Sequence, residues 1–274
     1  MRFDLDGAVW RAARQASGPA TVQLVPLRDA VRVRAWGPGA AEAAARVERL
    51  LGLDDPAESL VPRHAPLAEA ARRVRGLRFG RTDAVLEALV PAILEQKVTG
   101  EEARTAFRRL VRTYGEPAPG PIPLRLPVAP ELLARLPYHA FHAHGVERRR
   151  AELIARVATE AARLESLVAL ADAGLAAEAY ARLTAYPGIG PWTAAEVGAR
   201  AFGDADAVSV GDYHLPHLVT WAFAGEPRGT DERMLELLEP YAGHRGRVTR
   251  LLELAGPRTP RRGPRLAPRR LERI

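Results

Sequence analysis

Two short stretches of this chain carry residue types whose spacing suits chemistry. The first is residues 183–194, LTAYPGIGPWTA, in which an apolar helix end runs into Pro187-Gly188-Ile189-Gly190 and Pro191 opens a second helix. Proline suits that first helical position because its missing N–H would have no partner there. Gly188 and Gly190 can take positive φ and admit another backbone closely. The N–H groups left open at a helix start, with the positive end of the helix dipole behind them, suit a phosphate without reading any sequence. Ile189 would plug the turn into the core. An ordinary helix–turn–helix closed by a glycine cap uses the same residues, so the turn alone leaves both readings open.

The second stretch is Val208-Ser209-Val210-Gly211-Asp212-Tyr213-His214, an apolar approach ending in an aspartate 22 residues after Gly190, where a new helix begins. Aspartate is a favoured helix cap, and Pro216 fits a first turn, so a purely structural role is available to Asp212. His214, His217 and His244 tempt a metal reading. The first two lie three residues apart without an evident carboxylate partner, which does not make a zinc site.

Helices must position both stretches. From about Pro66 to Ala255 apolar residues recur at helical spacing, predicting helices near 67–75, 83–97, 100–113, 130–136, 146–161, 175–184, 191–202, 213–223, 231–238 and 244–255. Ahead of them, TVQLVPL (21–27) and AVRVRAW (30–36) alternate apolar and polar residues around Arg28-Asp29, which predicts a hairpin of two half-buried strands. AAEAAARVERLL (40–51) predicts a helix stopped by Gly52 and Pro56. No second strand pair and no internal repeat is evident. Residues 115–130, with six prolines, read as an extended connection between helical layers. The expected division is a small α+β domain over 1–65, a helical domain over 66–256 and a flexible basic tail over 257–274.

Composition narrows the function classes. With 274 residues, 47% of them hydrophobic, the chain can bury a core and form about two domains. The absence of cysteine excludes disulfides, thiolate metal sites and an iron–sulfur cluster. The start, MRFDLDGAVWRAAR, is not a basic stretch followed by an apolar run, and no run of about 18 uncharged apolar residues occurs, so a cytoplasmic protein with no membrane partner is expected. The formal net charge of +7 points to an anionic partner such as nucleic acid. Most of that charge sits in 257–274, which hold seven arginines against one glutamate. The tail is therefore expected to add non-specific, salt-dependent affinity for DNA. Arginine supplies every basic residue but one, Lys97.

Together, the Pro-Gly-Ile-Gly hairpin, the helix after it and an aspartate behind a Val-x-Val approach resemble the helix-hairpin-helix (HhH-GPD) superfamily of DNA base-excision glycosylases. Within it they are most similar to the 3-methyladenine DNA glycosylase II branch. Residues 75–99 (RGLRFGRTDAVLEALVPAILEQKVT) resemble the helix of that branch that enters the helical domain and ends in a lesion-probing glutamine. The N-terminal hairpin and helix resemble its small α+β domain. The likeness runs over about 20–256 and is strongest at 75–110 and 180–220. It implies a mostly α fold, a two-layer helical glycosylase domain behind the α+β unit.

On that resemblance Asp212 is the catalytic carboxylate. Cleaving an N-glycosidic bond builds positive charge on the sugar, which an ionised carboxylate stabilises while it positions or deprotonates water. Trp192 stands where bifunctional relatives carry a Schiff-base lysine, which implies a monofunctional enzyme. Its ring would line the pocket and stack on a flipped base, the alternative being a core tryptophan that braces the hairpin. Tyr213 would join the pocket. Glu196 aligns with a second pocket aromatic, and Glu253 stands near another. A carboxylate facing the pocket would accept from base N–H groups or favour a cationic lesion, whereas one facing solvent would do neither.

Gln96 takes the place of the wedge that fills the gap left by an extruded base, and Lys97 would meet phosphate or the orphan base. Gly188, Ile189, Gly190 and Thr193 would present the hairpin to the DNA backbone. The carbonyls of Thr184, Tyr186 and Ile189 correspond to those that hold a structural Na+ or K+ in such hairpins, and no cofactor is required for catalysis. His139, His142 and His144, beside Tyr138 and Phe141 in a loop-like stretch, suit packing or DNA-backbone contact equally. The implied function is a monomeric base-excision repair enzyme that acts on double-stranded DNA and leaves an abasic site. Alkylated purines come first as substrates and deaminated bases such as hypoxanthine next. Two rivals remain: a bifunctional glycosylase/lyase using Lys97 as its amine, and a non-enzymatic lesion-binding protein that keeps only the hairpin.

Overall fold

The computed structural model describes residues 1–5 and 7–260, so most of the basic tail expected over 257–274 lies outside the described residues. Four strands, β1 (Arg2–Phe3), β2 (Val9–Gln15), β3 (Gly18–Pro26) and β4 (Val31–Trp36), precede a long helical run. The helices are α1 (Ala40–Ala45), α2 (Val47–Leu51), α3 (Ala65–Arg73), α4 (Val85–Glu95), α5 (Gly100–Tyr114), α6 (Pro130–Leu133), α7 (Tyr138–His142) and α8 (Arg148–Thr159). They continue with α9 (Ala161–Glu165), α10 (Leu167–Asp172), α11 (Ala176–Thr184), α12 (Pro191–Val197), α13 (Leu215–Ala224), α14 (Asp231–Leu238) and α15 (Arg245–Ala255). The fold is mostly helical with a small N-terminal antiparallel sheet.

The chain divides into two compact units, each built from two separate segments. Among the described residues, one takes Met1–Leu50 and Leu94–Ala161; the other takes Leu51–Ile93 and 162–260. This differs from the linear boundary drawn at residue 65, because contacts rather than chain order decide which segments share a core.

In the first unit the sheet is an antiparallel meander in the order β1-β2-β3-β4. The sequence predicts β3 and β4 but not β2, and the expectation of a single strand pair is overturned. β2 lies between two neighbours, and Trp10, Arg11, Ala12 and Ala13 are all buried, so no polar alternation marks it. Alanine and arginine are also weak strand formers. Trp10 and Trp36 stack at 5.3 Å, and α1 packs on β3 and β4 through Ala20, Val22 and Ala43. The proline-rich 115–130 stretch, expected as an extended connection, instead turns back on itself at Gly120, with a bridge between Pro117 and Arg125 and the Ala118 N–H donating to the Leu124 carbonyl at 2.9 Å. It lies on the sheet end, where Arg14 donates to the Pro127 carbonyl at 3.3 Å.

Residues 138–144, read from sequence as loop-like, contain α7, which packs with α6 on α8. Thr99 opens α5 with a capping box closed by Glu102. Near it, the buried Arg150 of α8 donates to the Leu94 carbonyl at 2.8 Å.

In the second unit α3, α13, α14 and α15 enclose a core of Leu67, Leu215, Val219, Met234, Leu238 and Leu251 among others. Polar contacts tie the 52–83 segment to it. Asp55 and Arg247 form a buried ion pair, with Arg247 also reaching the Leu77 carbonyl at 3.0 Å and Asp55 accepting the Phe79 N–H at 2.7 Å. The Val85 and Leu86 N–H groups, open at the start of α4, are met by Glu165 of α9 at 2.7 and 2.9 Å.

The helix expected over 191–202 keeps α geometry only to Val197 and then widens into a π turn over Gly198–Phe202. At that change Tyr180 of α11 crosses so closely that a Cβ on Gly198 would lie 1.8 Å from its hydroxyl. The hydroxyl donates to Asp204 at 2.5 Å, and burial together with that carboxylate pushes the phenol's pKa far up.

Candidate active site

The two stretches singled out by sequence lie in the second unit and meet there. α11 ends at Thr184, and the turn is closed by Tyr186 N–H donating to Leu183 and Ile189 N–H donating to Tyr186, at 3.2 and 2.9 Å. Gly188 takes φ +102°, as the turn requires. Gly190 does not share that conformation: as the residue capping α12 it is extended at φ −96°, which corrects the expectation of positive φ at both glycines. A Cβ added to Gly190 would meet nothing within 4 Å, so the chain itself supplies no steric reason for glycine there. Ile189 and Thr193 are buried, and Ile189 plugs the turn as expected.

Asp212 is placed by a tight turn, its own N–H donating to the Ser209 carbonyl at 3.1 Å. The helix after it begins at Leu215 rather than Tyr213, so Asp212 stands ahead of the capping position. Its carboxylate still performs the capping: Oδ1 accepts from the N–H groups of His214 and Leu215 at 2.7 and 2.9 Å. The indole N–H of Trp192, two residues into α12, donates to Oδ2 at 3.1 Å. Three N–H donors from two elements therefore converge on one carboxylate.

Glu196 lies one helical turn beyond Trp192. Its Oε1 accepts from the Ser209 hydroxyl at 2.6 Å and its Oε2 pairs with Arg200 at 2.8 Å. Glu253 on α15 pairs with Arg250 at 3.1 Å. Partial burial, reinforced by the Glu196 and Asp212 carboxylates and opposed by Arg250, pushes the Glu253 carboxyl above its ordinary range.

The structure thus brings Trp192, Glu196 and Asp212 together, with Glu253 in their field. Tyr213 is 78% exposed, and its ring neighbours are His214 and His217. His217 Nδ1 is taken by the Gly229 N–H at 3.1 Å, and no group of three His, Cys, Asp or Glu suited to a metal ion occurs among the described residues. His244 sits between Ser59 and Arg247, and burial lowers its pKa. His144 is lowered by burial and by Arg109 and Arg112.

Gln96 and Lys97 belong to the first unit. The helix expected to reach residue 97 stops at Glu95, and Lys97 follows in a turn with φ +56°, a left-handed conformation uncommon outside glycine. Sequence reasoning missed Ser209 and Arg200. The signal was present: Ser209 lies three residues before Asp212, and Arg200 extends the 192, 196 spacing by one more turn.

Residues 90–242, more than half of the chain, match the family model described as HhH-GPD superfamily base excision DNA repair protein. The chain belongs to the HhH-GPD superfamily. Over 220 residues it is 34% identical to a Mycobacterium tuberculosis protein described as a probable bifunctional transcriptional activator/DNA repair enzyme AlkA. That match covers 77% of this chain and 43% of the relative, so the chain spans less than half of the relative's length.

Among solved structures it is similar to a 3-methyladenine DNA glycosylase from Archaeoglobus fulgidus, with TM-score 0.77 and 22% identity, covering 91% of this chain and 87% of that one. It is also similar to a Clostridium acetobutylicum 8-oxoguanine glycosylase/lyase bound to double-stranded DNA, with TM-score 0.69 and 15% identity over 89% of this chain and 85% of that one. Both are likenesses of fold. No helix among the described residues is long and apolar enough to cross a membrane.

Proposed function

We propose that this HhH-GPD protein is a monofunctional DNA glycosylase that acts as a monomer on double-stranded DNA in base excision repair. It extrudes a damaged base and hydrolyses its N-glycosidic bond, leaving an abasic site. The observation that carries the reading is Asp212, a carboxylate fixed by Trp192 and by the first N–H groups of α13, beside the superfamily's hairpin. A carboxylate pinned in this way is preorganised for charge that develops on the sugar. As the bond from C1′ to the base nitrogen breaks and its electron pair leaves with the base, Asp212 faces the oxocarbenium-like carbon. Water then attacks C1′ and passes its proton to the carboxylate or to bulk solvent.

Trp192 lines the pocket, and alkylated purines are the first substrate class, with deaminated bases next. Gln96 acts as the wedge and Lys97 meets phosphate or the orphan base. Gly188 and Gly190 present the hairpin, where the open space at Gly190 admits a phosphate at the start of α12, while Thr193, expected to join them, is buried beneath it and takes no part in the contact. The neutral carbonyls of Thr184, Tyr186 and Ile189 form a donor set suited to a monovalent cation. The Tyr186 carbonyl also accepts the Ile189 N–H at 2.9 Å, which fixes its direction in the turn. Such an ion would neutralise charge at the hairpin and takes no part in bond cleavage.

The test is single-turnover base release from duplexes carrying 3-methyladenine, 7-methylguanine, hypoxanthine or uracil, with wild type against Asp212→Asn. Release by wild type that falls by a hundredfold or more in the variant is the expected result. Duplex binding with no release from any substrate would overturn the catalytic reading in favour of a lesion-binding protein.

A further inference from the structure

We propose that Glu196 is a positioning residue for Asp212 and not a pocket residue that reads the base. The inference rests on Asp212 being the reactive carboxylate. Its geometry is that of a clamp. The turn that carries Asp212 is held from α12 at both ends: at Asp212 by the Trp192 indole N–H, 3.1 Å from Oδ2, and at Ser209 by Glu196, which accepts the serine hydroxyl at 2.6 Å. Trp192 and Glu196 are one helical turn apart on the same helix face, so their two contacts span the turn from Ser209 to Asp212.

The turn closes on itself, with Asp212 N–H donating to the Ser209 carbonyl at 3.1 Å, so anything that moves Ser209 moves the backbone of Asp212. A third contact comes from outside α12, where Gly211 N–H donates to Asp231 at 3.0 Å. Arg200 is 40% exposed and meets the second oxygen of Glu196 at 2.8 Å, which orients the carboxylate toward the serine. With each oxygen already engaged, the carboxylate is aimed at the turn rather than left open as an acceptor for a base.

An error of about 1 Å in a reacting group lowers rates by about a hundredfold, so a device that fixes a carboxylate indirectly is read in the chemical step and not in binding. A phenylalanine or tryptophan at position 196 would supply packing but no acceptor for Ser209. A glutamate with a serine three residues ahead of the aspartate is therefore a matched pair in this chain.

The experiment uses the full chain and two readouts. In a 1H–15N spectrum the four tryptophans give four indole N–H signals, and the Trp192 signal is identified by its loss in Trp192→Phe. Glu196→Ala and Ser209→Ala should each shift the Trp192 indole signal and leave those of Trp10, Trp36 and Trp221 in place, which also reports an intact fold. In single-turnover base release each should lower the rate about tenfold or more with duplex affinity unchanged. The double variant should be no slower than either single one. Glu196→Gln, which still accepts the serine hydroxyl while Arg200 turns to solvent, should recover most of the rate.

An unmoved Trp192 signal in both Glu196→Ala and Ser209→Ala overturns the proposal whatever the activity. So does a loss that appears only in duplex affinity or substrate preference, since that is the behaviour of a pocket residue. A moved Trp192 signal in a protein whose wild type releases no base would leave the clamp standing and sink the glycosylase reading instead.

Discussion

Trp192 and Asp212 are joined by a hydrogen bond of 3.1 Å that uses only the edge of the indole, so the same ring can hold the carboxylate and offer a π-face to a base. The two sequence readings of this tryptophan, brace and stacking surface, are compatible for that reason. Trp192→Phe keeps a flat apolar ring and deletes the donor. A hydrogen bond to a charged group contributes about 1.5–3 kcal/mol, which corresponds to a fall of roughly tenfold to a hundredfold in single-turnover base release. A phenylalanine variant as fast as wild type would show that the indole N–H does nothing for Asp212.

Glu253 gives the second unit a pH signature. Its carboxyl is raised above the ordinary 4.5 by burial and by the Glu196 and Asp212 carboxylates, with Arg250 opposing. The unfolded chain therefore ionises this group first, and the group's unfavourable contribution grows as pH rises from 4.5 through the folded value, then stays constant. Glu253→Gln should raise the denaturant midpoint at about pH 7 and change little at about pH 4. A variant less stable than wild type at neutral pH would contradict this.

Lys97 is the one amine a lyase could draw from a side chain, and it is held with φ +56°. On the proposed function, in which Lys97 contacts DNA and is not the nucleophile, no borohydride-trapped crosslink to an abasic or lesion duplex is expected. A crosslink lost in Lys97→Ala would make the enzyme bifunctional. Lys97→Gly relieves a left-handed residue, worth about 1 kcal/mol before the entropy of glycine is set against it. Stability should hold or rise slightly, while the slope of log affinity against log salt shrinks by about one.

The ion pair of Asp55 and Arg247 has side chains 3% and 2% exposed. Removing one partner of a buried pair costs about 3–5 kcal/mol, because the other charge is left uncompensated. Asp55→Ala should lower unfolding stability by that amount. Asp55→Leu combined with Arg247→Met should recover most of it, and a double variant as unstable as the single one would place the stabilisation elsewhere.

What the sequence disclosed, it disclosed through period and turn chemistry. The hairpin at 187–191 and the amphipathic α5 and α14 were legible because spacing and caps agree there, and α11 by its spacing alone. β2 was not, because burial on both faces erases alternation. The short α9 and α10 follow directly on α8 with little punctuation, and the π turn after Val197 depends on Tyr180 arriving from another helix. Within the site, Trp192 and Asp212 were legible by type and separation. The partnership of Glu196 with Ser209 was not, since which way a carboxylate points is decided by a loop 13 residues further on.

Each compact unit is assembled from two lengths of chain that alternate along the sequence. During synthesis the 51–93 segment emerges with α3 and Asp55, but the helices that complete their core, α13 to α15, come after the whole of 94–161. At about 5–20 residues per second that stretch alone takes roughly 3–14 s to translate. For that interval the apolar face of α3 lacks α13 and α15 and the Asp55 carboxylate lacks Arg247, so nascent chains stalled between 94 and 161 should be held by chaperones or degraded. For the same reason no single proteolytic cut can release either unit as a continuous piece.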